Sequence, residues 1–183
     1  MDNTIETSIQ HPECQALARY LTKAPVDEWL YAIIFYDWGD GDDDFGLWVI
    51  RHRRCDKAVA LAAYWSCSPR YFAQYVREAD CPGSQRSTFR LLAEIERRYV
   101  SGKYDKRSVL AFDPTAVRFG GGKAFDRTSA YDDIIRRRKL PPEMFVPLTG
   151  RVVDPDGPMF TNWAFGMPPS VYPSDMLHGP GDS

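Results

Sequence analysis

The chain has 183 residues, of which 44% are apolar, and this is enough to build one core of ordinary size. Its 23 Lys and Arg residues nearly balance its 25 Asp and Glu residues, so no overall charge favours nucleic acid or an anionic membrane as a partner. The first ten residues are polar, and no stretch approaches the ~18 apolar residues of a membrane span, which predicts a cytoplasmic protein.

The four cysteines form no CxxC motif and lie near no matching pair of histidines. This spacing is not that of a zinc site, and it predicts small, buried thiols in a reduced protein. We expect neither a metal nor a cofactor from these residues.

Apolar residues at helical spacing predict most of the first half of the chain. A helix begins at Pro12, and a second apolar stripe runs from Val26 to Tyr36. A short apolar run at 45–50 follows, and then Asp56 is placed to cap an alanine-rich helix over Lys57–Ser66. This spacing of apolar residues predicts helices that pack on the core through an apolar face.

The next helices are predicted from their ends. Pro69 opens a short helix, and Ser87 or Thr88 caps a long amphipathic one that stops near Gly102. Residues 109–119 are ambiguous, because residues 109–112 look strand-like and three glycines at 120–122 break the pattern.

A final helix is predicted over Tyr131–Lys139, capped by Thr128 or Ser129 and closed by four basic residues. After it, eight of the 14 prolines lie between Pro141 and Pro173, among many aromatic residues and methionines. This composition predicts an extended strap packed over the helices.

We therefore predict an all-α, single-domain bundle of about six or seven short helices. It comprises a helical domain at 1–140 and an irregular C-terminal strap at 141–183.

The acidic segment, residues 37–44, carries five aspartates in eight residues. Such a cluster can be a solvated loop neutralised by Arg51, Arg53 and Arg54, a cation site, or a contact surface for a basic partner. A standard calcium loop is excluded, because the sixth position counted from Asp40 is Phe45 and the twelfth is Arg51.

A surface that recognises a basic protein also needs apolar side chains for tight binding, and Trp38 lies among the aspartates. The candidate partner-binding residues are Asp37, Trp38, Asp40, Asp42, Asp43 and Asp44. No histidine, serine or cysteine stands in a recognisable catalytic pattern, so we expect no catalytic residue.

The order of motifs between residues 30 and 71 resembles the bacterial domain-of-unknown-function family number 4274. The resemblance covers about a quarter of the chain, and five groups of residues carry it: Tyr36-Asp37-Trp38-Gly39-Asp40-Gly41, Trp48-Val49-Ile50-Arg51-His52, Cys55-Asp56-Lys57-Ala58-Val59-Ala60-Leu61, Tyr64-Trp65, and Pro69 with Tyr71.

The family has no assigned activity, so the resemblance implies a genetic context rather than a chemistry. It implies a small helical protein found beside secreted toxins, which suits an immunity protein whose acidic segment binds a toxin with a basic surface. Two alternatives stay open. One is a metal-dependent enzyme that uses the aspartates with His52, and the other is an adaptor that binds through its C-terminal tail.

Overall fold

The computed structural model describes residues 8–36, 43–118 and 123–172. Within these ranges the regular structure is helical and contains no sheet, so the all-α fold class is confirmed. The α-helices are α1 Pro12–Leu21, α2 Val26–Phe35, α3 Asp43–Arg51, α4 Lys57–Ser66, α5 Pro69–Phe72 and α6 Arg86–Val100. Short 3-10 turns lie at Glu78–Asp80, Gly83–Gln85, Asp105–Arg107, Arg127–Ser129, Pro142–Phe145 and Pro158–Phe160.

Helix α4 lies at the centre of the core. Every side chain from Ala58 to Trp65 is buried, which is typical of a helix covered on all sides rather than on one stripe. Helix α2 packs along α4, while α6 contacts both α3 and α4. Four of the eight buried residues are alanines, so neighbouring helices can approach closely.

Asp56 confirms its predicted role as the N-cap of α4. Its Oδ1 accepts a hydrogen bond from the backbone N–H of Ala58 at 2.8 Å, and its Oδ2 accepts one from Val109 at 2.9 Å. The side chain is only 1% exposed, and this burial raises the pKa of Asp56 although the two backbone donors favour the charged form. One carboxylate therefore joins the start of α4 to a segment 53 residues away in sequence.

The predicted caps of α6 are wrong. The helix begins at Arg86, and the capping residue Gln85 makes no side-chain cap bond. Thr88 lies within the first turn, where its hydroxyl donates to Asp43 at 3.1 Å. The predicted end is confirmed, because Gly102 takes a left-handed φ of 73° and its N–H donates to the carbonyl of Tyr99.

The helix predicted over Tyr131–Lys139 is also wrong. Tyr131 has a φ of 61°, which a right-handed helix does not allow. The backbone N–H groups of Arg137 and Arg138 both donate to the carbonyl of Ala73, at 2.8 and 3.1 Å. Two basic residues of this stretch form ion pairs, Arg138 with Glu96 at 2.9 Å and Arg136 with Asp132 at 2.7 Å.

Residues 101–118 and 123–172 are irregular but packed. Leu110 and Phe112 form isolated bridges with Arg151 and Leu148, so the strand-like residues pair locally without building a sheet. The proline-rich region also contacts the core, because the indole N–H of Trp65 donates to the carbonyl of Met144 at 2.8 Å.

Two further predictions from composition concern the cysteines and membrane-spanning helices. All four cysteines are buried thiols, as predicted. Among the described helices, none combines the length and the apolar character that crossing a bilayer requires.

We predict that Asp56→Ala lowers the free energy of unfolding by about 2–3 kcal/mol, because it removes an N-cap and leaves the N–H of Val109 without its acceptor. Chemical denaturation measures this loss. Asp113→Ala is the matched control, since Asp113 accepts from Thr115 two residues on but lies in a more exposed turn. Equal losses in the two variants would contradict the structural role of Asp56.

We predict that Gly166→Ala loosens the C-terminal region from α2. Gly166 has a φ of 75°, and an added Cβ would lie 2.6 Å from the carbonyl oxygen of Ala32 and 2.9 Å from the backbone nitrogen of Tyr36. Faster amide hydrogen exchange in residues 158–172 measures the effect. Gly83→Ala is the control, because a Cβ there meets nothing within 4 Å, and its exchange should stay unchanged.

Candidate functional site

The acidic segment is described only at its end. Asp37, Trp38, Asp40 and Asp42 lie outside the described residues. Asp43 and Asp44 form the first turn of α3, where the free N–H groups of a helix favour negative charge. The segment therefore leads directly into a helix that packs on the core.

Asp43 faces the inside of the fold. Its side chain is 5% exposed and accepts the hydrogen bond from Thr88, which links the starts of α3 and α6. Its charge adds to burial in raising the pKa of the Cys67 thiol. Asp44 is half-buried, so it retains a solvent-facing side that Asp43 lacks.

The residue before the acidic segment is also held by the core. Tyr36 is 6% exposed, and its hydroxyl lies 3.0 Å from the Sγ of Cys14. Its backbone N–H donates to the carbonyl of Ala32 at 2.8 Å. Residues 37–42 therefore connect two buried positions.

Two of the three arginines expected to neutralise the aspartates contact other groups. Arg51 lies 3.7 Å from Glu94, and Arg54 donates to the carbonyls of Thr22 and Ala24 at 2.5 and 2.6 Å. Both lie at the C-terminal end of α3, which is about 12 Å from Asp43 at 1.5 Å per residue. Neither interaction involves an aspartate of the acidic segment.

His52 shares that distant end of α3. Its ring lies 5.0 Å from Trp29 and 5.1 Å from Trp48, and its Nδ1 accepts from the backbone N–H of Arg54 at 3.2 Å. Trp48 itself stacks on Trp29 at 5.5 Å, so it packs against the core as expected. In the part of the chain that the structure describes, no group of three His, Cys, Asp or Glu side chains could hold a metal ion.

A cavity of about 690 Å³, which we call the Arg127 cavity, opens beside the end of α2. Arg127 donates to the hydroxyl of Ser66 and, at 3.1 Å, to the carbonyl of Ile34. Burial lowers the pKa of Arg127 to about 10. The hydroxyl of Ser66 in turn donates to the carbonyl of Ala62 at 2.9 Å.

The backbone around the Arg127 cavity is unusual. Ser68, Tyr131 and Phe165 are the non-glycine residues of the described chain with positive φ, and all three line this cavity. Such conformations cost about 1 kcal/mol or more each and concentrate at functional sites. The described lining holds neither a histidine nor a carboxylate, so it offers contacts for binding rather than a base for Ser66.

A second cavity of about 620 Å³, which we call the Asp113 groove, lies along another face of α2. Its apolar walls come from α2 and from the segment after the Arg151 bridge, and its charged lining residues are Asp113, Arg118, Asp154 and Asp156. Sequence reasoning missed this groove, because its walls are more than 75 residues apart in the chain. The only local signal is the turn-forming Asp154-Pro155-Asp156-Gly157.

One comparison with known proteins gives a match, which falls on the region that contains the central helices. The family model described as a domain of unknown function, DUF4274, matches residues 24–100. No curated protein and no solved structure gives a significant match. The matched region contains α2 to α6 together with the acidic segment, so the resemblance carried by residues 30–71 is confirmed. Residues 24–100 are therefore similar to the DUF4274 family, a domain of unknown function.

Proposed function

We propose that this protein is a cytoplasmic, non-catalytic immunity protein that binds and neutralises a cognate toxin through its acidic segment. The observation that carries the proposal is the cluster of five aspartates at residues 37–44, of which three precede α3 and two lie in its first turn. A toxin with a basic surface is the complementary partner. Clustered charge of this kind speeds association and selects against partners of like charge.

The positions of Arg51 and Arg54 support this reading of the acidic segment. Both arginines are engaged with Glu94 or with backbone carbonyls at the opposite end of α3. Their contacts do not neutralise Asp43 or Asp44. Negative charge at the start of α3 is therefore better placed to meet a cation of another protein than a cation of this helix.

The metal-dependent alternative has weaker support. Divalent cations bind oxygen ligands at about 2–2.6 Å, whereas the rise of α3 separates His52 from Asp43 and Asp44 by about 12 Å. A site that joins His52 to these two aspartates would require α3 to unfold.

The adaptor alternative requires the C-terminal tail to be available for a partner. Met144 and Phe160 are buried, and Met144 accepts the hydrogen bond from Trp65. Binding through these tail residues would uncover part of the core, so the acidic segment is the better contact.

We predict that Asp40→Asn, Asp42→Asn and Asp44→Asn together abolish protection against the toxin encoded beside this gene. Co-expression of the two proteins measures growth rescue, and surface plasmon resonance measures binding. Loss of three charges should reduce the association rate constant at least about tenfold at low salt and flatten its salt dependence.

A matched control carries Glu13→Gln, Asp133→Asn and Glu143→Gln, which remove the same charge from residues outside the acidic segment and outside both cavities. This variant should protect almost as well as the unmodified chain. Unchanged binding in the acidic-segment variant would refute the proposed contact. Stoichiometric heat on titration with Mg²⁺, Mn²⁺ or Ca²⁺ would instead support the metal-dependent alternative.

We predict opposite behaviour for the two neighbouring aspartates of α3. Asp43→Ala should lower the free energy of unfolding by about 1–3 kcal/mol, because it removes a buried acceptor from Thr88. Asp44→Ala should change stability by less than about 1 kcal/mol and should weaken toxin binding. Denaturation and binding assays on both variants separate the two roles, and a large stability loss for Asp44→Ala would contradict the assignment.

A further inference from the structure

We propose that the Asp113 groove is a second docking site, which binds a segment of another protein carrying apolar side chains next to a lysine or arginine. This site is separate from the acidic segment, and the protein that binds there need not be a toxin. The apolar walls of the groove, the aspartates at its rim and its volume each limit which ligands can bind.

The walls of the groove are apolar and well packed. Leu30, Tyr31, Ile34 and Phe35 of α2 line one side, and Val152 and Val153 lie among the residues of the other. Tyr31 stacks on Phe35 with ring centroids 4.3 Å apart and on Phe160 at 3.9 Å, which stiffens this side. Val152 is 77% exposed, an unusual position for a valine beside a concave apolar surface.

The rim of the groove is negative. Its charged lining residues are three aspartates and one arginine, Arg118. The Asp113 carboxylate accepts only from the N–H and hydroxyl of Thr115, and the Asp154 carboxylate accepts from the N–H of Asp156. Neither Asp113 nor Asp154 forms an ion pair with a described residue.

The negative charge at the rim also affects a tyrosine that lines the groove. Burial raises the pKa of the Tyr31 phenol, and the nearby charge of Asp156 raises it further. Arg118 is the cation among the lining residues, and the guanidinium of Arg151, the residue before Val152, is paired with Asp27. An anionic ligand would therefore be repelled, whereas a cationic side chain would be attracted.

The size of the groove suits a short peptide segment. A volume of about 620 Å³ is within the range of ~300–1,000 Å³ in which proteins bind ligands. Apolar side chains would gain by burial against α2 and Val152, and a flanking Lys or Arg would pair with Asp113 or Asp154. A purely basic segment would leave the walls exposed to water, and a purely apolar one would leave the carboxylates unpaired.

The test uses the full chain and a fluorescein-labelled, capped peptide in which three leucines alternate with two lysines. We expect saturable binding by fluorescence anisotropy below about 1 mM. The variant Asp113→Asn/Asp154→Asn should weaken binding about fivefold to tenfold, because two charge pairs are lost. Asparagine keeps the turn acceptor of both residues, so the groove should stay folded.

The control Asp133→Asn/Glu143→Gln removes two charges from exposed residues that do not line the groove, and it should change binding by less than about twofold. Peptides with serine for leucine, or with serine for lysine, should each bind more weakly than the parent peptide. Amide NMR shifts should concentrate at Leu30, Ala116 and Val152. Replacement of Asp40, Asp42 and Asp44 by asparagine should leave this peptide's affinity nearly unchanged, which separates the groove from the proposed toxin contact.

Several results would overturn the proposal. Equal weakening by the control variant would show non-specific attraction to a polycation. Equal binding of the serine-for-leucine peptide would show that the apolar walls play no part. Absence of saturable binding would show that the groove does not bind such a segment. A dimer in solution whose formation is blocked by Val152→Glu would show that the groove binds a second copy of this chain.

Discussion

Complete burial of helix α4 is the constraint on which the rest of the structure depends. A helix buried on all sides cannot leave its polar groups to water, so each must find a partner in another element. Asp56 supplies one for the helix start, Tyr64 donates to Glu96 at 2.8 Å, and Trp65 donates to Met144. These bonds tie α6 and the proline-rich region to the same helix, which explains why so irregular a region packs firmly.

The same packing fixes the two ends of the acidic segment. Helix α2 lies against α4 and ends at Tyr36, whose hydroxyl contacts Cys14. Helix α3 begins at Asp43, which Thr88 of α6 holds by a hydrogen bond. Five negative charges in a short stretch repel one another, so buried anchors on both sides oppose their separation from the core. Anchored ends also reduce the entropy that a contact segment loses on binding.

Sequence patterns predicted the helices whose residues repeat at one face, and they failed where distant contacts decide the backbone. The stripes at Pro12, Val26 and Lys57 each correspond to an observed helix. The basic run after Tyr131 looked like a helix end, but its contacts with Ala73 and Glu96 belong to an irregular run of turns and bends. Such partners leave no local trace in the sequence. Both cavities were missed for the same reason, because their walls are distant in sequence and meet only after folding. The acidic segment could be found because its aspartates are close together in the sequence.

The two acidic features converge on the end of one helix. Ile34 and Phe35 border the Asp113 groove, and the acidic segment begins two residues after Phe35. A basic partner that reaches both would meet charge and apolar surface on one rigid support. Long-range attraction to the acidic segment would mainly raise the association rate, whereas apolar burial in the groove would mainly slow dissociation. Because the second contact would form within an already bound complex, neither surface alone needs high affinity.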